Sequence, residues 1–259
     1  MGGARMRVWL CVALVAAVAW ARVDRAEAVE IKVLSAGAVR SVVSGLAEAF
    51  GRETGHAVML TFGTVGALRQ KLAAGEPADV LILTDVAIDD LARQGAVAAG
   101  TRTDIGRTAM GVAVREGAPL PDISTADAFK QTLLSAKSLT YVDPAQGATS
   151  GVHFAGVLKR LGIAEAVKGK TRLVAGGYPA ELVAKGEAEL VAHQISEIIP
   201  VKGVTLVGPL PKDLQKITTY SAGLAAQSAV ADAARAFVAF VSRPSFKARF
   251  AEAGLDYRE

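Results

Sequence analysis

Three short segments combine small and hydroxyl residues at points where an apolar run gives way to a helical pattern. They are residues 35–40 (Ser-Ala-Gly-Ala-Val-Arg), 62–66 (Phe-Gly-Thr-Val-Gly) and 147–151 (Gly-Ala-Thr-Ser-Gly). Small residues let a ligand approach the backbone closely, and the free N–H groups at a helix start attract an anion. Each segment alone is more typical of an ordinary helix cap or tight turn. The three together predict an anion-binding site built from helix N-termini.

Two arginines and two histidines stand beside these segments. Arg40 falls in the first turn of the first predicted helix, and Arg69 lies about one turn into the second. Because the helix dipole disfavours a cation near its N-terminus, Arg40 requires an anionic partner, and guanidinium pairs well with carboxylate. His153 follows the third segment and His193 ends a predicted strand, so either is a candidate acid or base for proton transfer. The alternatives are solvent-facing arginines, and histidines that only donate hydrogen bonds to an anion.

The sequence lacks the motifs of several other chemistries. It contains no phosphate-binding Gly-x-x-x-x-Gly-Lys-Ser/Thr loop and no Gly-x-Gly-x-x-Gly after the first strand. A Gly-x-Ser-x-Gly elbow, a His-Glu-x-x-His helix and a cysteine pair are also missing. The motifs that usually indicate nucleotide-binding, hydrolase or zinc functions are therefore missing. The sequence predicts neither a cofactor nor a metal.

Short β-branched runs alternate along the chain with stretches of helical period. The predicted strands are residues 31–35, 58–62, 80–84, 110–114, 139–143, 172–175, 190–194 and 204–207. The predicted helices are residues 39–50, 65–74, 125–135, 150–161, 179–185 and 228–253, the last with a break at 242–244. A continuous apolar strand between helices, such as 80–84, is typical of a buried parallel sheet. The pattern predicts an α/β fold whose strand ends position the three segments.

The first residues have the composition of an export signal. Arg5 and Arg7 precede an apolar run at residues 8–20, and a small-x-small triplet follows at residues 26–28. The run is shorter than the roughly 20 residues that span a bilayer. We therefore predict a signal peptide over residues 1–28, cleaved on export to the periplasm. Cys11, the chain's one cysteine, lies too early in this segment to carry a lipid anchor.

The composition after the predicted signal peptide fits a nearly neutral protein with one large domain or two smaller ones. The chain has 259 residues and a formal charge of +4, and four of its 29 basic and two of its 25 acidic residues lie in the predicted signal peptide. No cluster of lysines and arginines follows that segment, so a nucleic-acid partner is not expected. A single cysteine excludes a disulfide within the chain. We expect a monomer.

Five segments carry a resemblance to a known family. They are residues 33–38 (VLSAGA), 61–64 (TFGT), 75–82 (GEPADVLI), 143–144 (DP) and 186–188 (GEA). In order and spacing they resemble the molybdate-binding proteins of ABC transporters, with Gly-x-Pro-Ala-Asp the most specific match. The resemblance implies a two-lobe type II periplasmic binding fold, each lobe a mixed, mostly parallel sheet flanked by helices, with the ligand cleft between. The lobes would comprise residues 29–108 with 219–259, and residues 109–218.

The resemblance also implies where a ligand would lie. Family members hold an oxyanion with a serine in each of the first two junctions, a backbone N–H in the third and a tyrosine hydroxyl after Gly-Glu-Ala. The corresponding residues here are Ala38, Val65, Ser150 and Gln194. Losing hydrogen-bond partners weakens the binding of a buried oxyanion. An organic carboxylate held by Arg40 and Arg69 is therefore favoured over molybdate.

Four further residues are candidate ligand contacts. Thr64 and Thr149 supply hydroxyls at the second and third junctions. Gly177 and Tyr178 would close the cleft from the second lobe, although a capping turn before a proline explains them equally well.

Two functions remain open. One is a receptor that delivers a small anion, either an oxyanion or an organic carboxylate, to an ABC permease. The other is an enzyme, because the family includes one that interconverts trans- and cis-aconitate through a delocalised carbanion, and this chain resembles it in signal peptide, size and pocket. That chemistry needs cations or N–H groups for three carboxylates and one base, here His193 or His153. The absent hydroxyls and the added arginines and histidines favour the enzyme.

Overall fold

The computed structural model describes residues 28–256, so the predicted signal peptide lies outside the described residues except for Ala28. The strands are β1 (Glu30–Ala36), β2 (Ala57–Gly63), β3 (Val80–Thr84), β4 (Thr103–Arg115), β5 (Leu139–Val142), β6 (Thr171–Val174), β7 (Leu190–Gln194), β8 (Val204–Pro209) and β9 (Ile217–Leu224). The α-helices are α1 (Arg40–Thr54), α2 (Val65–Ala73), α3 (Asp85–Arg93), α4 (Ala126–Ser135), α5 (Thr149–Arg160), α6 (Ala164–Lys168), α7 (Ala180–Ala184), α8 (Ile195–Ile198), α9 (Ala231–Val241) and α10 (Lys247–Glu252). Short 3-10 turns precede α1, α5, β9 and α10.

The strands form two sheets joined through one long strand. Their order is β2-β1-β3-β9-β4-β7-β5-β6, with β8 also paired to β4. The first part of β4 pairs with β9, and its second part, from Met110 onward, pairs with β7 and β8. We call β2-β1-β3-β9 with its helices the first lobe and β7-β5-β6-β8 with its helices the second. The predicted lobe boundaries at 108/109 and 218/219 remain a prediction.

Each lobe buries both faces of its sheet. In the first lobe, Val33 and Ile82 pack with α1 and α9, whereas Leu34 and Leu81 pack with α2 and α3. In the second lobe, Val112 and its neighbours pack with α4, α5 and α6, while the opposite face packs with α7 and α8. Successive strand residues point to opposite faces, so these continuously apolar strands fit a sheet that is covered on both sides.

The predicted elements are present, with a few differences. Strands 80–84 and 190–194 are confirmed to the residue, and the break at 242–244 covers the two residues after α9 and the first residue of the last 3-10 turn. The prediction missed β9, α3, α6 and α8 and the first part of β4. The sheets are mixed: β2, β1 and β3 pair in parallel, as do β6, β5 and β7, but β4 pairs antiparallel with all its partners.

Over residues 28–256, no helix is both long and apolar enough to cross a membrane.

Candidate functional site

A cavity of about 260 Å³ lies between the two lobes, at the carboxyl ends of their parallel strands. The three junctions singled out in the sequence all contribute to its walls, together with the loop after β6 and the end of β7. Its volume is below the roughly 300–1,000 Å³ of sites for drug-sized ligands. The cavity therefore suits a small ligand.

The first junction brings a cation to the outer edge of the cavity. Arg40, the first residue of α1, is exposed, and its guanidinium carbon lies 4.3 Å from the ring centroid of Phe62 and 6.0 Å from that of Tyr178. No carboxylate of the described residues lies within 4.0 Å of it, since it enters none of the ion pairs found there. The aromatic rings fix the guanidinium while its charge stays free for an anion.

The second junction holds the lobes together. Thr64 caps α2 by accepting a hydrogen bond from the Ala67 N–H at 3.1 Å, and its hydroxyl donates across the cleft to the Gln146 carbonyl at 2.6 Å. Gly66 N–H donates to the Gly147 carbonyl at 3.2 Å. A Cβ atom at Gly66 would lie 2.8 Å from the Gln146 oxygen, so glycine is what permits this approach. The cavity is therefore closed on this side by direct contact between the lobes.

The third junction presents a helix start to the cavity. No side-chain hydrogen bond caps α5 or the 3-10 turn of residues 37–39 that leads into α1, and residues at both helical starts line the cavity. Gly151 lets α5 begin against β5, because a Cβ atom there would collide with the Val142 carbonyl. Thr149 and Ser150 thereby line the cavity. Two uncapped helix N-termini favour a bound anion.

A buried chain of polar side chains forms the inner wall. The Ser150 hydroxyl lies 3.0 Å from His193 Nδ1, and His193 Nε2 lies 3.3 Å from Glu197 Oε2. The second contact has ion-pair distance but not hydrogen-bond alignment, since Nε2 has no hydrogen-bond partner among the described residues. His193 is 2% exposed and Glu197 is 8% exposed. The arrangement places a carboxylate, an imidazole and a hydroxyl side by side in the wall, and each of these groups can accept or donate a proton.

Two tyrosine hydroxyls complete the walls. Burial raises the pKa of Tyr178, while the nearby Arg40 charge acts in the opposite direction. Burial raises the pKa of Tyr220 far more, and the neighbouring Glu197 charge adds to the effect. Both tyrosines therefore keep their protons at neutral pH and can donate hydrogen bonds to an anion.

Most of the residues singled out in the sequence lie in the cavity wall. These are Ala38, Arg40, Thr64, Val65, Thr149, Ser150, Gly177, Tyr178 and His193. Arg69, His153 and Gln194 are not in that wall.

Arg69 and His153 are turned toward other partners. Arg69 Nη1 lies 3.5 Å from Asp90 Oδ2, so its charge is paired between α2 and α3. His153 Nε2 lies 2.8 Å from the Leu214 carbonyl, which holds the ring against the segment before β9. Both side chains therefore lie outside the wall of this cavity, and the ligand and base roles expected of them stay predictions.

Gln194 lies behind the cavity wall, and its expected contact with a ligand stays a prediction. Its side chain is fully buried, and Nε2 donates to Thr218 Oγ1 at 3.2 Å and to the Tyr220 hydroxyl at 3.4 Å. Adjacent strand residues point to opposite faces, so His193 and Gln194 cannot both face the ligand. The tyrosine hydroxyl that the resemblance placed at position 194 is instead offered by Tyr220, from the neighbouring part of the sheet.

Glu197 and Tyr220 line the cavity but were not among the residues that the sequence indicated, and Phe62 was indicated only as part of the second junction. A signal for Glu197 exists in the sequence, because it follows His193 by four residues. The short helix α8 starts directly after β7 and brings the two side chains together. Residues 28–256 contain no group of three or more His, Cys, Asp or Glu side chains suited to a metal ion.

Comparison with known proteins places these features in a family. Residues 31–256 match the model of the family described as bacterial extracellular solute-binding protein. The chain is 35% identical over 231 residues to an aconitate isomerase from Pseudomonas sp., covering 87% of each chain. It is 29% identical over 184 residues to the molybdate-binding protein of Azotobacter vinelandii, covering 67% of this chain and 68% of that protein.

Solved structures confirm the fold class. The periplasmic molybdate-binding protein of Azotobacter vinelandii superposes with a TM-score of 0.75 at 21% identity, covering 88% of this chain and all of that one. The predicted two-lobe periplasmic binding fold, with helices on both sides of each sheet and a cleft between the lobes, is thus confirmed.

Proposed function

This chain belongs to the bacterial extracellular solute-binding protein family, and we propose that it is an enzyme on that scaffold, a periplasmic isomerase that interconverts trans- and cis-aconitate. The proposal is carried by one observation, the buried Ser150–His193–Glu197 chain in the wall of an otherwise anion-attracting cavity. A receptor that only holds an anion gains nothing from a carboxylate facing it, because like charges repel. An enzyme that moves a proton needs such a group.

The proposed reaction shifts one proton and one double bond. The proton leaves the methylene carbon of trans-aconitate, and the electron pair spreads over the adjoining carbons and carboxylates. The double bond re-forms at the former methylene carbon, and a proton is added to the carbon at the other end. Substrate and product have the same composition, so no co-reactant is needed, and the new double bond takes the cis geometry.

Anion-attracting groups of both lobes would hold the three carboxylates. Arg40 and the start of α1 act from the first lobe, and the start of α5 with Tyr178 acts from the second. Donors placed where charge develops stabilise a delocalised carbanion in a site that excludes water. The His193–Glu197 pair would remove the proton from one carbon and return it to the other. The aconitate isomerase relative, at 35% identity over most of both chains, supports this function.

The test is direct conversion. Purified protein lacking residues 1–28 is incubated at micromolar concentration with trans-aconitate, and the cis isomer is followed by chromatography against a protein-free control. We expect the cis isomer to accumulate in proportion to protein and time. No conversion above the control would overturn the proposal.

The second candidate is a receptor that delivers a small anion to an ABC permease. It is favoured by the family and by the molybdate-binding relative. Thermal unfolding with and without each ligand distinguishes the two candidate functions. A ligand at 100 times its Kd stabilises the folded protein by about 2.7 kcal/mol. Under our proposal aconitate stabilises the protein and molybdate does not, since positions 38 and 65 offer no hydroxyl. Stabilisation by molybdate without conversion of aconitate would favour the receptor.

A further inference from the structure

Glu197 holds a carboxylate that the surrounding protein leaves largely unpaired. Its side chain is 11% exposed, and no N–H or O–H group of the described residues donates an aligned hydrogen bond to either oxygen. Only the imidazole of His193 lies at ion-pair distance, 3.3 Å from Oε2. Among the described residues, neither Glu197 oxygen is a fully buried atom without a partner, so the carboxylate keeps contact with the cavity that it lines.

The other oxygen, Oε1, packs against Gly37 of the first junction. It lies 2.7 Å from the position that a Cβ atom would take on Gly37. The missing side chain of Gly37 therefore leaves the space into which this oxygen projects, and both residues line the cavity. A ligand held at the starts of α1 and α5 would meet Oε1 directly.

His193 offers no comparable lone pair to the ligand. Its Nδ1 faces the Ser150 hydroxyl at 3.0 Å and its Nε2 faces Glu197, and the residue is 2% exposed. A general base must reach the proton that it removes, at hydrogen-bond distance. Of the two candidate groups, the carboxylate is the one with an atom, Oε1, that lies beside the first junction and makes no hydrogen bond or ion pair with the described residues.

We infer that Glu197, through Oε1, is the catalytic base that removes the methylene proton of the tricarboxylate and returns it to the far carbon. The inference rests on the proposed function. The C–H bond breaks as the O–H bond of the Glu197 carboxyl forms, the electron pair is delocalised in the substrate, and the same carboxyl then gives its proton to the other terminal carbon. The carboxylate is regenerated at the end of each cycle.

Paired variants test the inference. Glu197→Gln keeps the shape of the side chain but removes the basic oxygen, whereas His193→Gln leaves the carboxylate in place. Turnover is measured on trans-aconitate, exchange of the methylene hydrogens is followed by NMR in D₂O, and binding is measured by calorimetry. The control is Glu165→Gln, an exposed glutamate on α6.

We expect Glu197→Gln to lose roughly 10²–10⁴-fold in both turnover and hydrogen exchange, the usual range for general base catalysis. Its affinity for trans-aconitate should stay equal or increase, because one negative charge leaves the cavity. Turnover within threefold of the parent protein, or loss of binding together with turnover, would overturn the inference. A parent protein that binds trans-aconitate without converting it would instead overturn the proposed function, and this inference with it.

Discussion

The position of Arg40 at the start of α1 makes it a candidate contact for a bound carboxylate. A cation at the first residue of a helix opposes the helix dipole, and this one has no carboxylate partner among the described residues. Stacking on Phe62 at 4.3 Å holds the guanidinium at the cavity edge. A bound carboxylate supplies the missing counter-charge.

Arg40→Ala should therefore weaken the binding of trans-aconitate about tenfold or more, since a hydrogen bond to a charged group contributes about 1.5–3 kcal/mol. Calorimetric titration measures the change. The matched control is Arg52→Ala on the same helix, whose side chain is 72% exposed and lies 4.0 Å from Glu48. Equal affinities for the two variants would remove Arg40 from the site.

Tyr220 makes the stability of the protein depend on pH. Burial raises its pKa above the usual value of 10.0, so above pH 10 the unfolded chain releases a proton that the folded chain retains. The free energy of unfolding should then fall as pH rises, by up to about 1.4 kcal/mol per pH unit for this one group. Tyr220→Phe should show a shallower fall in denaturant titrations between pH 9 and 11. Parallel curves would contradict the assignment.

At the level of residues, the sequence predicted the hydroxyl and glycine junctions because their chemistry is local to strand ends. Arg69 lies outside the cavity wall, because it pairs with Asp90 on α3, a helix that the pattern did not predict. Glu197 was missed because its role depends on a four-residue helix that turns the chain back toward His193. Such contacts depend on packing that no local pattern contains.

At the level of elements, the start of α2 and the turn before α5 act as a contact between the lobes. The Thr64 hydroxyl and the Gly66 N–H donate to the carbonyls of Gln146 and Gly147. The acceptors of these hydrogen bonds are backbone carbonyls, so the bonds form only when the two backbone segments lie close together. Glycine at position 66 makes that approach possible.

Gly66→Ala should disturb this contact, because the added Cβ would lie 2.8 Å from backbone atoms that cannot easily move aside. We expect at least a tenfold loss of affinity for trans-aconitate with an intact fold. Gly45→Ala on α1 is the control, since a Cβ atom there meets nothing within 4 Å. It should leave affinity unchanged and stabilise the helix by about 0.5–1 kcal/mol. Unchanged affinity in Gly66→Ala would show that the interlobe contact is dispensable for binding.

Elements with clear apolar runs were predictable and others were not. Strand β3 is apolar except for its final Thr84 and was predicted to the residue. Strand β9 carries Thr218 and Ser221 in the core, and these buried polar residues interrupt the apolar run by which a strand is predicted. Helix α3 begins directly at the end of β3, with Thr84 as its cap, so no turn residue marks it.

At the level of the whole molecule, two lobes meet around a cavity that both help to build. The cation comes from the first lobe, and the buried Ser150–His193–Glu197 chain comes from the second. Separation of the lobes would divide the site, because residues of both lobes line it. A closed site excludes water and strengthens the interactions that stabilise a carbanion.

Under the proposed function, this cavity catalyses a reversible proton shift. The most direct test of this claim is to incubate the purified protein separately with pure trans-aconitate and pure cis-aconitate and to follow both isomers by chromatography. We predict that the two reactions converge on one common ratio, at rates proportional to the protein concentration. Two isomers that each remain unchanged at micromolar protein would contradict the claim.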